Sequence, residues 1–158
     1  MKNRLAILGL LLFLMSDCLS QTDSDRHSTN LIIVINEEVV IGSITRVRLV
    51  REFEELELGY YPGNLFMDMN DYGSIDKNDS TTMFLVFEHY FDEEKSQETK
   101  KYEIPVTPAM LDYGFMVLKI YDLGKRKYRK LFEPLPNKNY TFEINSSEFQ
   151  MNRVRKKR

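Results

Sequence analysis

The residues best suited to chemistry lie between Asp68 and Asp79, where Asp68-Met69-Asn70-Asp71-Tyr72-Gly73-Ser74-Ile75 opens in the pattern of a calcium-binding loop. Asp68, Asn70 and Gly73 fall at positions one, three and six, and Ile75 falls at position eight. Calcium takes about six to eight hard oxygens around a tight turn. Tyr72 stands at position five, where a further Asp or Asn is needed, and Asp79 ends the run in place of a longer, bidentate Glu. The flanks alternate like strands, not helices. The stretch is therefore expected to be a solvated polar connection, since Asp, Asn, Gly and Ser are ordinary turn residues. Calcium is kept only within an alternative, ligand-binding reading.

Acid–base and nucleophilic chemistry find little to work with. There are two histidines, His27 in a polar leader and His89 at the end of a strand between Glu88 and Tyr90. Glu54, Glu55, Glu57, Glu93 and Glu94 are plentiful, but they fall on polar strand faces and in a charged loop. No nucleophile elbow, metalloprotease helix, phosphate loop or dinucleotide fingerprint is present. No residue is assigned as catalytic, cofactor-binding or metal-binding, and the chain is expected not to be an enzyme. A hydrolase with an unrecognised site is the second alternative.

The single cysteine, Cys18, follows a basic start (Lys2, Arg4) and the uncharged run from Leu5 to Met15. That is the form of a secretory signal, and the run is too short to span a membrane. Cys18-Leu19-Ser20 offers the small residues that ordinary cleavage requires, which leaves Gln21 as the new N-terminus. Lipidation at Cys18 is the competing route, but Asp17 stands where a small neutral residue is needed. The expected organisation is a signal peptide over 1–20, a flexible polar leader over 21–30 and one domain over 31–158. The domain would have no transmembrane span, no thiol and no disulfide, so its core alone must hold it. A cysteine-free exported chain points to a bacterial envelope, periplasmic or at the surface. Lys and Arg number 22 against 24 Asp and Glu, so no broad basic surface is available for nucleic acid. Only Arg153 to Arg158 forms a short basic tail.

The elements that must position these residues read as β. Leu31 to Ile35 is a β-branched run, and Ile44 to Leu49 and Phe53 to Tyr60 alternate. After the turn at Pro62-Gly63-Asn64, Leu65, Met67 and Met69 alternate. Asn70 to Ser80 reads as a loop. Thr81 to Phe91 is nearly continuous in apolar residues, as expected of a central strand. Asp92 to Lys100 reads as a charged loop. Tyr102 to Val106 carries Pro105, which confines it to an edge or bulge. Phe115 to Tyr121, Lys127 to Phe132 and Tyr140 to Ile144 complete the clear strands, with a short one expected around Phe149 to Val154. About eight short strands spaced by turns predict an all-β antiparallel sandwich or small barrel. Phe84, Val86, Leu118 and Phe142 are expected in its core. Tyr61 and Phe66 are expected there too, unless their face is left open for protein or sugar contacts.

Leu135-Pro136-Asn137-Lys138-Asn139-Tyr140-Thr141-Phe142-Glu143-Ile144 resembles the last hairpin of transthyretin-like and immunoglobulin-like exported modules, in which a turn precedes an aromatic-rich closing strand. Those modules commonly place glycine in the turn, where this chain has Asn137 to Asn139. The resemblance implies a β-sandwich of that kind and carries no catalytic residue with it. Together these features predict a non-catalytic exported module that recognises another envelope protein. The first alternative is a module that binds a small ligand, carbohydrate or calcium.

Overall fold

Along β2 (Leu31–Ile35), Leu31, Ile33 and Ile35 are buried while Ile32 is exposed and Val34 half-buried, as strict alternation of side chains dictates. The same rule builds most of the chain. The computed structural model describes residues 25–52, 54–77, 81–93 and 96–151. Among them, twelve strands form three sheets. Before β2 lies β1 (Arg26–Thr29). After it come β3 (Glu38–Val39), β4 (Ile44–Arg51), β5 (Glu54–Glu57), β6 (Gly59–Tyr61), β7 (Asn64–Asp68) and a short helix α1 (Met69–Ser74). Next are β8 (Met83–Glu93), β9 (Ser96–Val106), a 3-10 turn (Pro108–Asp112), β10 (Met116–Asp122), helix α2 (Arg126–Leu131), β11 (Tyr140–Ser146) and β12 (Gln150–Met151). No described helix is long and apolar enough to cross a membrane.

The result is an all-β sandwich. One sheet has the order β12-β11-β10-β2-β3 and the facing sheet the order β5-β4-β8-β9. Every pairing is antiparallel except that of β2 with β10, which is parallel. Leu118, Ile120, Phe142 and Ile144 from the first sheet meet Leu49, Leu85, Phe87 and Ile104 from the second in one core. Aromatic contacts lock the layers: the rings of Tyr102 and Tyr140 meet edge-on at 5.0 Å, and Phe87 lies 5.5 Å from Tyr102. The small sheet β1-β7-β6 closes the open edge of β2. There the Ile33 N–H donates to the Tyr60 hydroxyl at 3.1 Å, and the Gly63 N–H donates to the Leu31 carbonyl at 2.9 Å. Pro105 sits on the edge strand β9, where a missing N–H costs nothing.

Several expectations are corrected. Arg26–Thr29 is an edge strand, not a leader: it pairs through its backbone from Arg26↔Asp68 to Thr29↔Leu65 and so needs no apolar pattern. Asp92 to Lys100 is not a loop but the far end of the β8–β9 hairpin, paired down to Glu93↔Ser96. Lys127 to Phe132 is helical rather than a strand. Tyr128, Leu131 and Phe132 satisfy helical spacing, and the basic residues between them favour helix. Phe84 is 43% exposed, not core, because it lies on the outward side of β8 between Val50 and Pro105. Val86, Leu118 and Phe142 are buried. The signal segment, Cys18, the first residues of the leader, Asp79, Glu94 and the basic tail lie outside the described residues.

Candidate interaction surface

A mostly apolar groove of about 360 Å³ runs between the end of β9, the 3-10 turn and β12. Its shape follows from local chemistry. Pro108 starts the 3-10 turn, and the Thr107 N–H donates to the Met110 sulfur at 3.2 Å, which folds that side chain inward. After β11 the Ser146 hydroxyl accepts from the amides of Glu148 and Phe149, at 3.2 and 3.0 Å. That turn swings Phe149 against Tyr113, ring edge to face, at 5.7 Å. Pro105 and Met151 complete the walls, and among the described residues no carboxylate or cationic side chain lines the groove. Its polar groups are hydroxyls of Thr82, Thr107 and Tyr113. Beside it the exposed Phe84 faces Pro105 across the β8–β9 pair. Such a lining can take an apolar side chain and a few hydrogen bonds. It offers no acid–base pair.

The calcium-like stretch is built for another purpose. Asp68 caps α1, its carboxylate accepting from the Asn70 N–H at 2.8 Å. Tyr72, the residue that breaks the loop pattern, is the centre of a clasp. His27 from β1 stacks on its ring at 3.5 Å, and Lys77 lies over the ring with Nζ 3.4 Å from its centre. The Tyr72 hydroxyl donates to the Asp112 carboxylate. That bond, helped by partial burial, pushes the phenol up to about 12. Burial lowers the Lys77 ammonium, and the Asp112 charge partly offsets it. His27 also bonds the Leu111 carbonyl through Nε2 at 3.0 Å, and Thr29 donates to the same oxygen. The group ties β1, α1 and the 3-10 turn together. Among the described residues no three His, Cys, Asp or Glu side chains are grouped to share a metal ion.

His89 is half-buried on the central strand β8, and burial lowers its pKa. Glu54, Glu55 and Glu57 lie along β5, the edge of its sheet, with Glu55 paired to Arg48 at 3.4 Å. His89 and these carboxylates belong to separate places. Tyr61 is 55% exposed and Phe66 half-buried, so they are surface residues of the small sheet, not core. The covering layer packs on the other face, where Leu65 and Met67 are buried. Phe66 lies directly over Gly59, its cross-strand partner. A Cβ on residue 59 would fall 2.0 Å from the ring. Arg26 sits 5.1 Å above the same ring.

Sequence reasoning missed the groove because its walls come from four separated stretches. Only the aromatic content of Tyr113 and Phe149, in segments too short to be core strands, hinted at it. No protein-family model, curated protein or solved structure matches the chain.

Proposed function

We propose that this protein is an exported, non-catalytic β-sandwich module of a bacterial envelope, and that it acts by binding another envelope protein. The groove beside Phe84 carries the proposal. An exposed aromatic contiguous with an apolar, uncharged trough is the anatomy of a contact site, where one or two buried anchors supply most of the affinity and hydroxyls fix orientation. The apolar lining formed by the described residues favours a side-chain anchor over a sugar or an ion, both of which call for convergent polar groups.

Site-specific photocrosslinking in the producing cell tests this. A photoreactive phenylalanine analogue at position 84 should yield one discrete adduct with an envelope protein, and the same analogue at Glu54 should not. Absence of any adduct from position 84, or the same set of adducts from both positions, counts against the proposal. Substituting Met151→Asp should abolish the adduct while leaving the melting temperature unchanged, because Met151 is exposed at the end of an edge strand.

A further inference from the structure

The backbone along one wall of the groove beside Phe84 is closed to an added strand. β9 is the edge of its sheet, and its antiparallel pairing with β8 turns the peptide groups of every second residue outward. At Glu103 the outward N–H and C=O are both engaged by the Tyr140 hydroxyl, at 2.8 and 3.0 Å. That fixes the parity, so Pro105 and Thr107 are the next outward positions. Pro105 has no N–H to offer. The Thr107 N–H donates to the Met110 sulfur at 3.2 Å, and the Thr107 carbonyl accepts from the Met110 N–H at 3.0 Å. Among the described residues, the Pro105 carbonyl is the one backbone group that this stretch leaves to an occupant.

The side chains of the lining narrow the choice further. Thr82, Thr107 and Tyr113 supply hydroxyls that can donate, and Met110, Phe149 and Met151 supply apolar surface. The Tyr113 and Phe149 rings meet edge to face at 5.7 Å and form an aromatic wall. An ordinary extended segment would bring one N–H per residue to a wall with a single backbone carbonyl. Each N–H left buried without a partner costs roughly 5- to 150-fold in affinity. Proline brings none. A proline-rich segment is also extended beforehand as a polyproline II helix, without internal hydrogen bonds, and its carbonyls are open to hydroxyl donors. Aromatic-lined grooves take such segments ring against ring.

We infer that the groove receives an uncharged, proline-rich stretch of the partner envelope protein in the polyproline II form. The inference rests on the binding role proposed above and names the chemistry of the segment that is bound. The lining formed by the described residues carries no formal charge, so an uncharged segment is its electrostatic complement. Phe84 extends the surface, because it lies opposite Pro105 across the β8–β9 pair and is exposed.

Nuclear magnetic resonance titration of the isotope-labelled protein tests this. One arm uses an end-capped oligoproline peptide, and the other an end-capped peptide of equal length that alternates threonine and valine. Saturable shifts at Met110, Tyr113, Phe149 and Met151 are expected with oligoproline alone. Tyr113→Phe keeps the ring and removes a donor, and should weaken binding about two- to tenfold with the melting temperature near that of the wild type. Met151→Asp should abolish saturation. Oligoproline shifts that miss these residues, or binding that both variants leave unchanged, would overturn the inference. Saturable groove shifts from the threonine–valine peptide, with oligoproline silent, would overturn it as well and assign the groove to strand addition. Silence from both peptides while the adduct at position 84 still forms would defeat the proline assignment alone and leave the binding role standing. Absence of the adduct as well would remove both.

Discussion

The hydroxyl of Tyr140 takes the place of a missing strand beside Glu103: it accepts from the Glu103 N–H at 2.8 Å and donates to the Glu103 carbonyl at 3.0 Å. β9 is an edge strand, and its outward N–H and C=O groups would otherwise invite pairing with another chain. The opposite sheet uses the same device, where the Tyr60 hydroxyl meets the amide of Ile33. Tyr140 thus serves the edge strand β9, and Tyr60 the stretch of β2 that the two-residue β3 leaves open.

Tyr140→Phe keeps the ring in the core and removes both bonds. Leaving those backbone groups unpaired should cost about 1–3 kcal/mol, a fall of several degrees in melting temperature. Amide exchange at Glu103 should speed up, while exchange at buried Ile104 on the inner register changes less. Unaltered exchange at Glu103 would mean that water or another group serves its backbone equally well.

Glu103 also sets an acid-side dependence. Hydrogen bonds from Lys101, at 2.8 Å, and from Lys138 hold its carboxyl down, from an ordinary 4.5 to about 2. A carboxyl depressed in the folded state stabilises fully above its unfolded pKa, and that contribution disappears as pH falls through the folded one. The gap in stability between wild type and Glu103→Gln should therefore be constant above about pH 4.5 and close between there and about pH 2. The partly exposed site makes the gap modest. A gap that widens on acidification would reverse the assignment.

Phe142 and Phe84 make a paired test of the two sides of the sandwich. Phe142 is 1% exposed within the shared core, and truncation to Ala should cost about 3–5 kcal/mol. Phe84 faces outward, so Phe84→Ala should shift stability by no more than about 0.5–1 kcal/mol. Urea unfolding of the two variants measures both. Equal losses would place a covering layer over Phe84.

Period-two alternation was readable in β2, β4, β7, β10 and β11 because each buries one face, and burial selects side chains residue by residue. Where backbone pairing or surface context decides, the pattern was silent. Arg26–Thr29 is held by its register with β7 and shows no apolar repeat. Tyr128 to Phe132 fits both a two-residue and a helical repeat, and only the choice that turns Lys130 outward survives. Phe84 sits in the apolar run of a strand that is central in its sheet, yet it lies on the outward side, where Val86 is buried but Phe84 itself is left 43% exposed. The groove was illegible for a further reason: Pro105, Met110, Tyr113 and Phe149 are brought together only by the path of the chain between β9 and β12.

The stretch after β7 separates a structural carboxylate from a metal ligand. Asp68 is engaged by the Asn70 N–H at 2.8 Å, an N-cap that satisfies one of the open amides of α1. Asp68→Ala should lower stability by about 0.5–2 kcal/mol, and Asp68→Asn, which keeps an accepting oxygen, should lose much less. Both effects should be identical in millimolar calcium and in chelator. A calcium site behaves differently: at a hundredfold excess over its dissociation constant, the ion would add about 2.7 kcal/mol to the wild type, several degrees of melting temperature. Melting all three proteins with and without the ion decides it. The capping role predicts two parallel curves and an Asn variant near wild type. A wild-type shift in calcium that vanishes in both variants would instead make Asp68 a ligand, with the hydrogen bond to Asn70 only the resting state of an ion-binding turn.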